Sequence, residues 1–252
     1  MSSFADVAGL ALLLVRPGMI VMGTPFLGAL NAPAHARVGL TIFLAVALAP
    51  FVAVPAALPA VGLTVVVFRE LAIGLALALS IRVLMVAAEF AGHLGGYQLG
   101  LSLGALIDPQ SGVRNNVLAL LYGNVAVVIC LATNAHHALL RALADSYTLL
   151  PIGAGGLDES LVRAVSRMLG LVFILGTRIA APVLFVLLLI ELALGLLARV
   201  APSLHVMVAG APVRLIVGLL VVGATITALP PLITRYVPAV IDLGTATARA
   251  FR

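Results

Sequence analysis

The sequence predicts an all-α, multi-helix membrane-associated protein, and three observations carry that prediction. Of its 252 residues, 63% are hydrophobic. Only 9% are charged, where soluble domains carry about 25%. Apolar runs of about 20 residues, the length a helix needs to cross a bilayer core, recur along the whole chain. No polar stretch is long enough for a separate soluble domain, so residues 1–252 read as a single membrane-embedded domain. About six long apolar helices, several kinked or broken by Pro or Gly, are expected to form helical hairpins packed into a larger assembly.

The first run lies near Val7–Leu30 and is interrupted by Arg16-Pro17-Gly18. Its N-terminal side lacks a basic n-region and a small-residue cleavage site, so it is expected to stay in the mature protein. The second run, Val38–Val54, ends in the Pro50/Pro55/Pro59 cluster, and the third, Val61–Ala91, carries charges. The fourth covers Val117–Ala132 and the fifth Leu169–Leu197. The sixth, Val213–Leu229, is expected to stop at Pro230-Pro231. Between the fourth and fifth lies a polar stretch, Asn134–Arg167. Its latter part sets Leu157, Leu161, Val162, Val165, Met168 and Leu169 on one side, with Asp158 and Glu159 in a first turn. That pattern predicts an amphipathic helix with acids at its positive end.

Glycines recur at every fourth position after Ala88, at Gly92, Gly96, Gly100 and Gly104. On a helix this spacing makes a ridge of bare backbone, the means by which helices approach closely in lipid. Counting Gly95, the five glycines forfeit roughly 4–5 kcal/mol of helix propensity, which close packing must offset. Beyond the ladder, Leu99–Asn116 contains Pro109 and Gly112 and is expected to leave helical geometry.

Arg69, Glu70, Arg82, Glu89, Arg178 and Glu191 stand inside apolar runs and are candidate buried charges. Four of them, in the third run, would together cost on the order of 10–14 kcal/mol at the centre of lipid-exposed helices. Arg82 and Glu89 are two turns apart, and Glu89 precedes His93 by four. Pairing inside a protein assembly, snorkelling to water, and a proton or ion relay are the three arrangements open to these groups. Pro17, Pro109, Pro182 and Pro212 favour kinks or breaks, which persist at membrane depth only where protein or a wet cavity surrounds them.

The basic residues are all arginine, and the net charge is +5. They are dispersed without interleaved aromatics, which argues against a nucleic-acid partner. Alternate connections collect Arg141, Arg163, Arg167, Arg235, Arg249 and Arg252 against Arg37, Arg114, Arg199 and Arg214, too even to decide topology. Cys130 is alone, and His35, His93, His136, His137 and His205 form no metal-ligand spacing. Nucleophile-elbow, Walker and dinucleotide motifs are absent, so neither an enzyme nor a cofactor is expected.

Ala91-Gly92-His93-Leu94-Gly95-Gly96-Tyr97-Gln98-Leu99-Gly100 resembles the FliR family of flagellar export-gate proteins, homologous to the injectisome SctT component. The resemblance continues through Ile107–Gly112, Asn134–Tyr147, Leu150–Gly153 and Glu191–Pro202. This chain departs from the family with Asn134-Ala135 before the first histidine, with Ser203–Met207, and with Glu191. The resemblance implies a non-enzymatic export-gate subunit in the bacterial inner membrane, at the flagellar basal body. The implied partners are FliP-like and FliQ-like subunits, FlhB-like and FlhA-like export components, membrane lipid, and unfolded export substrates. It also maps Leu106, Ile107, Asp108, Pro109, Gln110, Ser111 and Gly112 near the family's plug loop. An injectisome-type subunit, and a secondary transporter with Glu70, Glu89 and Glu191 as coupling sites, are the alternative readings.

Overall fold

A computed structural model of the chain describes residues 2–26, 33–52, 60–101, 116–153, 160–200 and 206–249. These residues form helices α1 (Ser2–Gly23), α2 (Ala34–Leu48), α3 (Ala60–Gln98), α4 (Val117–Ala132), α5 (Ala135–Leu149), α6 (Ser160–Val200) and α7 (Val206–Arg249). A 3-10 turn, Ala49–Phe51, closes α2 where Pro50 removes a backbone donor. Four of the helices are long and apolar enough to cross a membrane, and α4 with α5 makes a fifth candidate if that bent pair is one span. The chain is thus a multi-helix membrane protein.

Several boundaries differ from those expected. Pro17 does not interrupt α1, which runs through it. Proline at position 17 leaves the carbonyl of Leu13 without its helical donor, and the Tyr147 hydroxyl donates to that carbonyl at 3.2 Å. The lost bond is replaced from another helix, so the helix has no reason to open. From Ser160 on, the amphipathic segment and the fifth apolar run are one helix, α6, 41 residues long with Pro182 inside it, while Leu157, Asp158 and Glu159 lie outside the described residues. Nor does α7 stop at Pro230-Pro231; it continues to Arg249. Buried Leu229, Ile233, Val237 and Val240 keep helical spacing across that pair. A packed stripe on both sides holds the backbone where propensity alone would break it.

Between α4 and α5 the chain bends by 69°. Asn134 makes the corner with φ 56°, the one positive-φ residue other than glycine among those described. Asparagine tolerates this left-handed conformation better than most residues. Its carbonyl then accepts from the amides of His137 and Ala138, starting α5.

The chain divides into two compact units, residues 1–83, 130–170 and 235–252 in one, and 84–129 and 171–234 in the other. The core of the first contains Leu13 and Ile20 from α1, Ile73, Leu77 and Ile81 from α3, and Leu139 and Leu143 from α5. In the second, Met85 and Ala88 of α3, Leu118, Tyr122 and Ala126 of α4, Leu175, Val183 and Leu187 of α6, and Val222 of α7 are buried.

Candidate functional site

Within the first unit, bare backbone draws α1 onto α3. A Cβ at Gly74 would lie 3.0 Å from the Arg16 carbonyl oxygen and 3.1 Å from its Cα. One turn further, a Cβ on Gly23 would come within 2.6 Å of the Ala78 methyl. Glu70, Gly74 and Ala78 are spaced by four and form a ridge, and α1 lies against it. That approach brings Arg16 against Glu70, both with fully buried side chains.

The Arg16 guanidinium forks onto the Glu70 carboxylate, Nε to Oε2 and Nη2 to Oε1, the second at 3.0 Å. Its Nη1 donates to Ser146 Oγ at 3.1 Å, and Nη2 also donates to the Leu150 carbonyl at 2.8 Å. The Tyr147 ring lies against it, 4.4 Å from Cζ to the ring centroid. A buried ion pair survives only with such extra hydrogen bonds, because desolvation otherwise outweighs attraction. The site therefore ties α1, α3 and α5 through one cation. Arg69 is also buried, at 6% exposure.

In the second unit the glycine ladder resolves into two functions. A Cβ at Gly92 would fall 2.5 Å from the Ala119 Cα and the Leu118 carbonyl oxygen, so α3 meets α4 backbone to backbone. Gly96 leaves room for Asn116, whose amide nitrogen would lie 1.8 Å from an added Cβ. Asn116 Oδ1 in turn accepts from the amide of Leu118, in the first turn of α4. Ala88 is buried on the same helix. Gly100, by contrast, ends the helix with φ 75°. Its amide donates to Tyr97 O, and that of Leu101 to Gly96 O, the paired bonds of a Schellman cap. The ladder's close approach is thus to α4 of the same chain. Gly104 and the whole plug candidate, Leu106–Gly112, lie outside the described residues.

The remaining candidate charges separate. Arg82 and Glu89 are both exposed and do not pair; Arg82 donates to the Gly23 carbonyl at 3.3 Å. Arg178 is exposed on α6. Glu191 is half-buried and pairs with Arg214 of α7 at 3.1 Å. An apolar cavity of about 900 Å³ adjoins that pair, lined by Leu99, Leu194, Ala198 and Leu215 among others.

Sequence reasoning missed Arg16, Ser146, Tyr147 and Arg214. Arg16 was visible as an interruption of the first run, yet it was read with Pro17 as a break. Arg214, at the edge of the sixth run, groups by sequence with the connecting arginines, whereas α7 begins at Val206 and places it within the helix. None of these groups offers a nucleophile or a general base near a second reactive group; the arrangement is one that holds helices together.

The chain matches the family described as "Bacterial export proteins, family 1" over residues 7–239. It is 36% identical over 175 residues to the flagellar biosynthetic protein FliR of Pectobacterium carotovorum, covering 69% of this chain and 67% of that protein. Against FliR of Escherichia coli K12 it is 32% identical, with 86% and 84% of the two chains covered. It is also 27% identical to the Yop proteins translocation protein T of Yersinia pestis, over 69% of this chain and 66% of the other. These relatives are named as export and translocation components rather than enzymes. The chain belongs to family 1 of the bacterial export proteins, the family of the flagellar biosynthetic protein FliR.

Proposed function

We propose that this chain is a subunit of a type III protein export apparatus, working in the bacterial inner membrane at the flagellar basal body. In this reading it assembles with FliP-like and FliQ-like subunits around a conduit for unfolded export substrates, and with FlhB-like and FlhA-like components. The observation that carries it is the family match over residues 7–239, reinforced by flagellar relatives matched along most of their length. Two physical features support it. Charged side chains sit in apolar helices, and long apolar helices leave much of their surface uncovered, with only 22% of the α6 window buried within the chain. Both suit a chain whose helices meet other protein as well as lipid.

The decisive experiment is co-purification of the tagged full-length chain with the FliP-like and FliQ-like subunits of its host, followed by measurement of the subunit ratio. Recovery of a complex with this chain as the minority subunit is expected. A stable lone monomer overturns the reading. The similarity to the Yersinia translocation protein favours a second, injectisome reading. Secreted filament proteins, as opposed to effectors, missing from a deletion strain distinguish the flagellar role.

The plug role for Leu106, Ile107, Asp108, Pro109, Gln110, Ser111 and Gly112 rests on the resemblance of that segment to the family's loop. Deleting Ile107–Gly112 is expected to leave assembly intact and make the complex leak ions in vesicles. A deletion complex that stays tight overturns the plug role.

A further inference from the structure

We infer that Glu89 is an intersubunit contact, onto which an apolar helix of a partner subunit brings an arginine or lysine. This rests on the reading of the chain as an export-apparatus subunit. The other two glutamates described in apolar helices each meet an arginine of this chain, Glu70 with Arg16 and Glu191 with Arg214. Glu89 has no ion-pair partner among the described residues, although it stands in an apolar window, Gly62–Gln98. Arg82, two turns before it, reaches the Gly23 carbonyl instead.

The Glu89 side chain packs on α4. It lies flat over the bare backbone of Gly123 on α4, with Oε1 3.0 Å from where a Cβ would stand. The next residue on α4, Asn124, is exposed too. Around it the exposed face of α4 is apolar, with Val117, Leu120, Leu121 and Val128 at helical spacing. A surface of this kind fits neither simple solvent. Water is disfavoured by the row of large apolar side chains, and hydrocarbon by an unpaired carboxylate. An apolar helix bearing one cation matches both the stripe and the charge within it. Gly123 acts as a positioning residue, since any side chain there would lift Glu89 out of its place.

The test uses the tagged full-length chain co-expressed with the host's FliP-like and FliQ-like subunits. Glu89→Gln is expected to lower partner recovery about tenfold and Glu89→Arg further, while Glu89→Asp stays within about twofold of wild type. Each isolated variant should unfold in detergent as the wild type does, which separates loss of contact from loss of fold. In Glu89→Cys, the thiol is expected to react with a membrane-impermeant maleimide in the detergent-solubilised chain alone. About tenfold protection should appear once partners are bound. Wild-type recovery with Glu89→Gln, or equal labelling with and without partners, overturns the inference. If the wild-type chain itself recovers no partner, the export-apparatus reading falls and takes this one with it. That outcome is distinct from a complex that forms indifferently to position 89.

Discussion

At the residue scale the chain's most constrained group is the Arg16 guanidinium, because it combines full burial with three hydrogen-bonding partners on two other segments, α3 and α5 with its C-terminal cap. Arg16→Met would leave the Glu70 carboxylate buried without its cation, and about 3–5 kcal/mol of stability should be lost. The double variant Arg16→Met/Glu70→Leu should lose less than the sum of the single changes, because neither member of the pair is left buried without the other. Unfolding of the four proteins in detergent measures this coupling. Additive losses would mean that the pair does not act as a unit. A second cycle addresses the neighbouring tyrosine. Tyr147→Phe strips the donor from the Leu13 carbonyl that Pro17 has already left without its helical bond, at a cost of about 1–3 kcal/mol. With Pro17→Ala the helix supplies its own N–H, and the penalty for Tyr147→Phe should shrink by about 1 kcal/mol or more. An equal penalty in both backgrounds would show that the hydroxyl does not substitute for the missing amide.

Elements show why the fold was readable and much of the site was not. Apolar runs and their lengths located every long helix among the described residues, since crossing hydrocarbon demands about 20 apolar residues whatever the neighbours are. Where helices end was less readable, because a proline breaks a helix only when nothing replaces its hydrogen bond or holds its flanks. Tyr147 does the first at Pro17, and the stripe Leu229–Ile233–Val237 does the second at Pro230-Pro231. Neither contact is local in sequence. The pairing partners of Glu70 and Glu191 were hidden for the same reason, since they stand on other helices. Glycine spacing points to a ridge on α3, but spacing cannot say which glycine packs and which one caps. Gly92, packed against α4, and Gly223, facing open space on α7, separate packing from helix propensity by sign. Gly92→Ala gains about 1 kcal/mol of helix propensity yet forces a methyl to 2.5 Å from the Ala119 Cα, so net destabilisation is expected. Gly223→Ala meets nothing within 4 Å and should stabilise α7 by up to about 1 kcal/mol. Thermal unfolding of both variants checks this. Stabilisation by Gly92→Ala would mean that α3 and α4 are not in backbone contact.

Across the whole molecule, apolar surface is divided unevenly between the chain's interior and its surroundings. Two thirds of the apolar window of α3 is buried inside the chain, 67%, against 6% for α2. Both are candidate membrane spans, so hydropathy does not distinguish them; burial does. On α2, Phe43 is 66% exposed and Val46 64%. On α3, Leu77 and Ile81 are fully buried. A buried aliphatic side chain loses both transfer energy and packing when truncated, whereas an exposed one loses little within its own chain. Leu77→Ala should therefore cost about 2–5 kcal/mol in detergent unfolding of the isolated chain. Phe43→Ala with Val46→Ala should change that stability by no more than about 0.5 kcal/mol. In cells the order of effects is expected to narrow, because the α2 face must be covered by lipid or by another subunit. If it meets lipid alone, the double variant keeps normal export. If it meets a subunit, export falls while the isolated chain remains as stable as before. Measuring the isolated chain's unfolding beside substrate secretion in the same variants separates these outcomes. Equal destabilisation by the α2 and α3 changes would refute the division of surface itself.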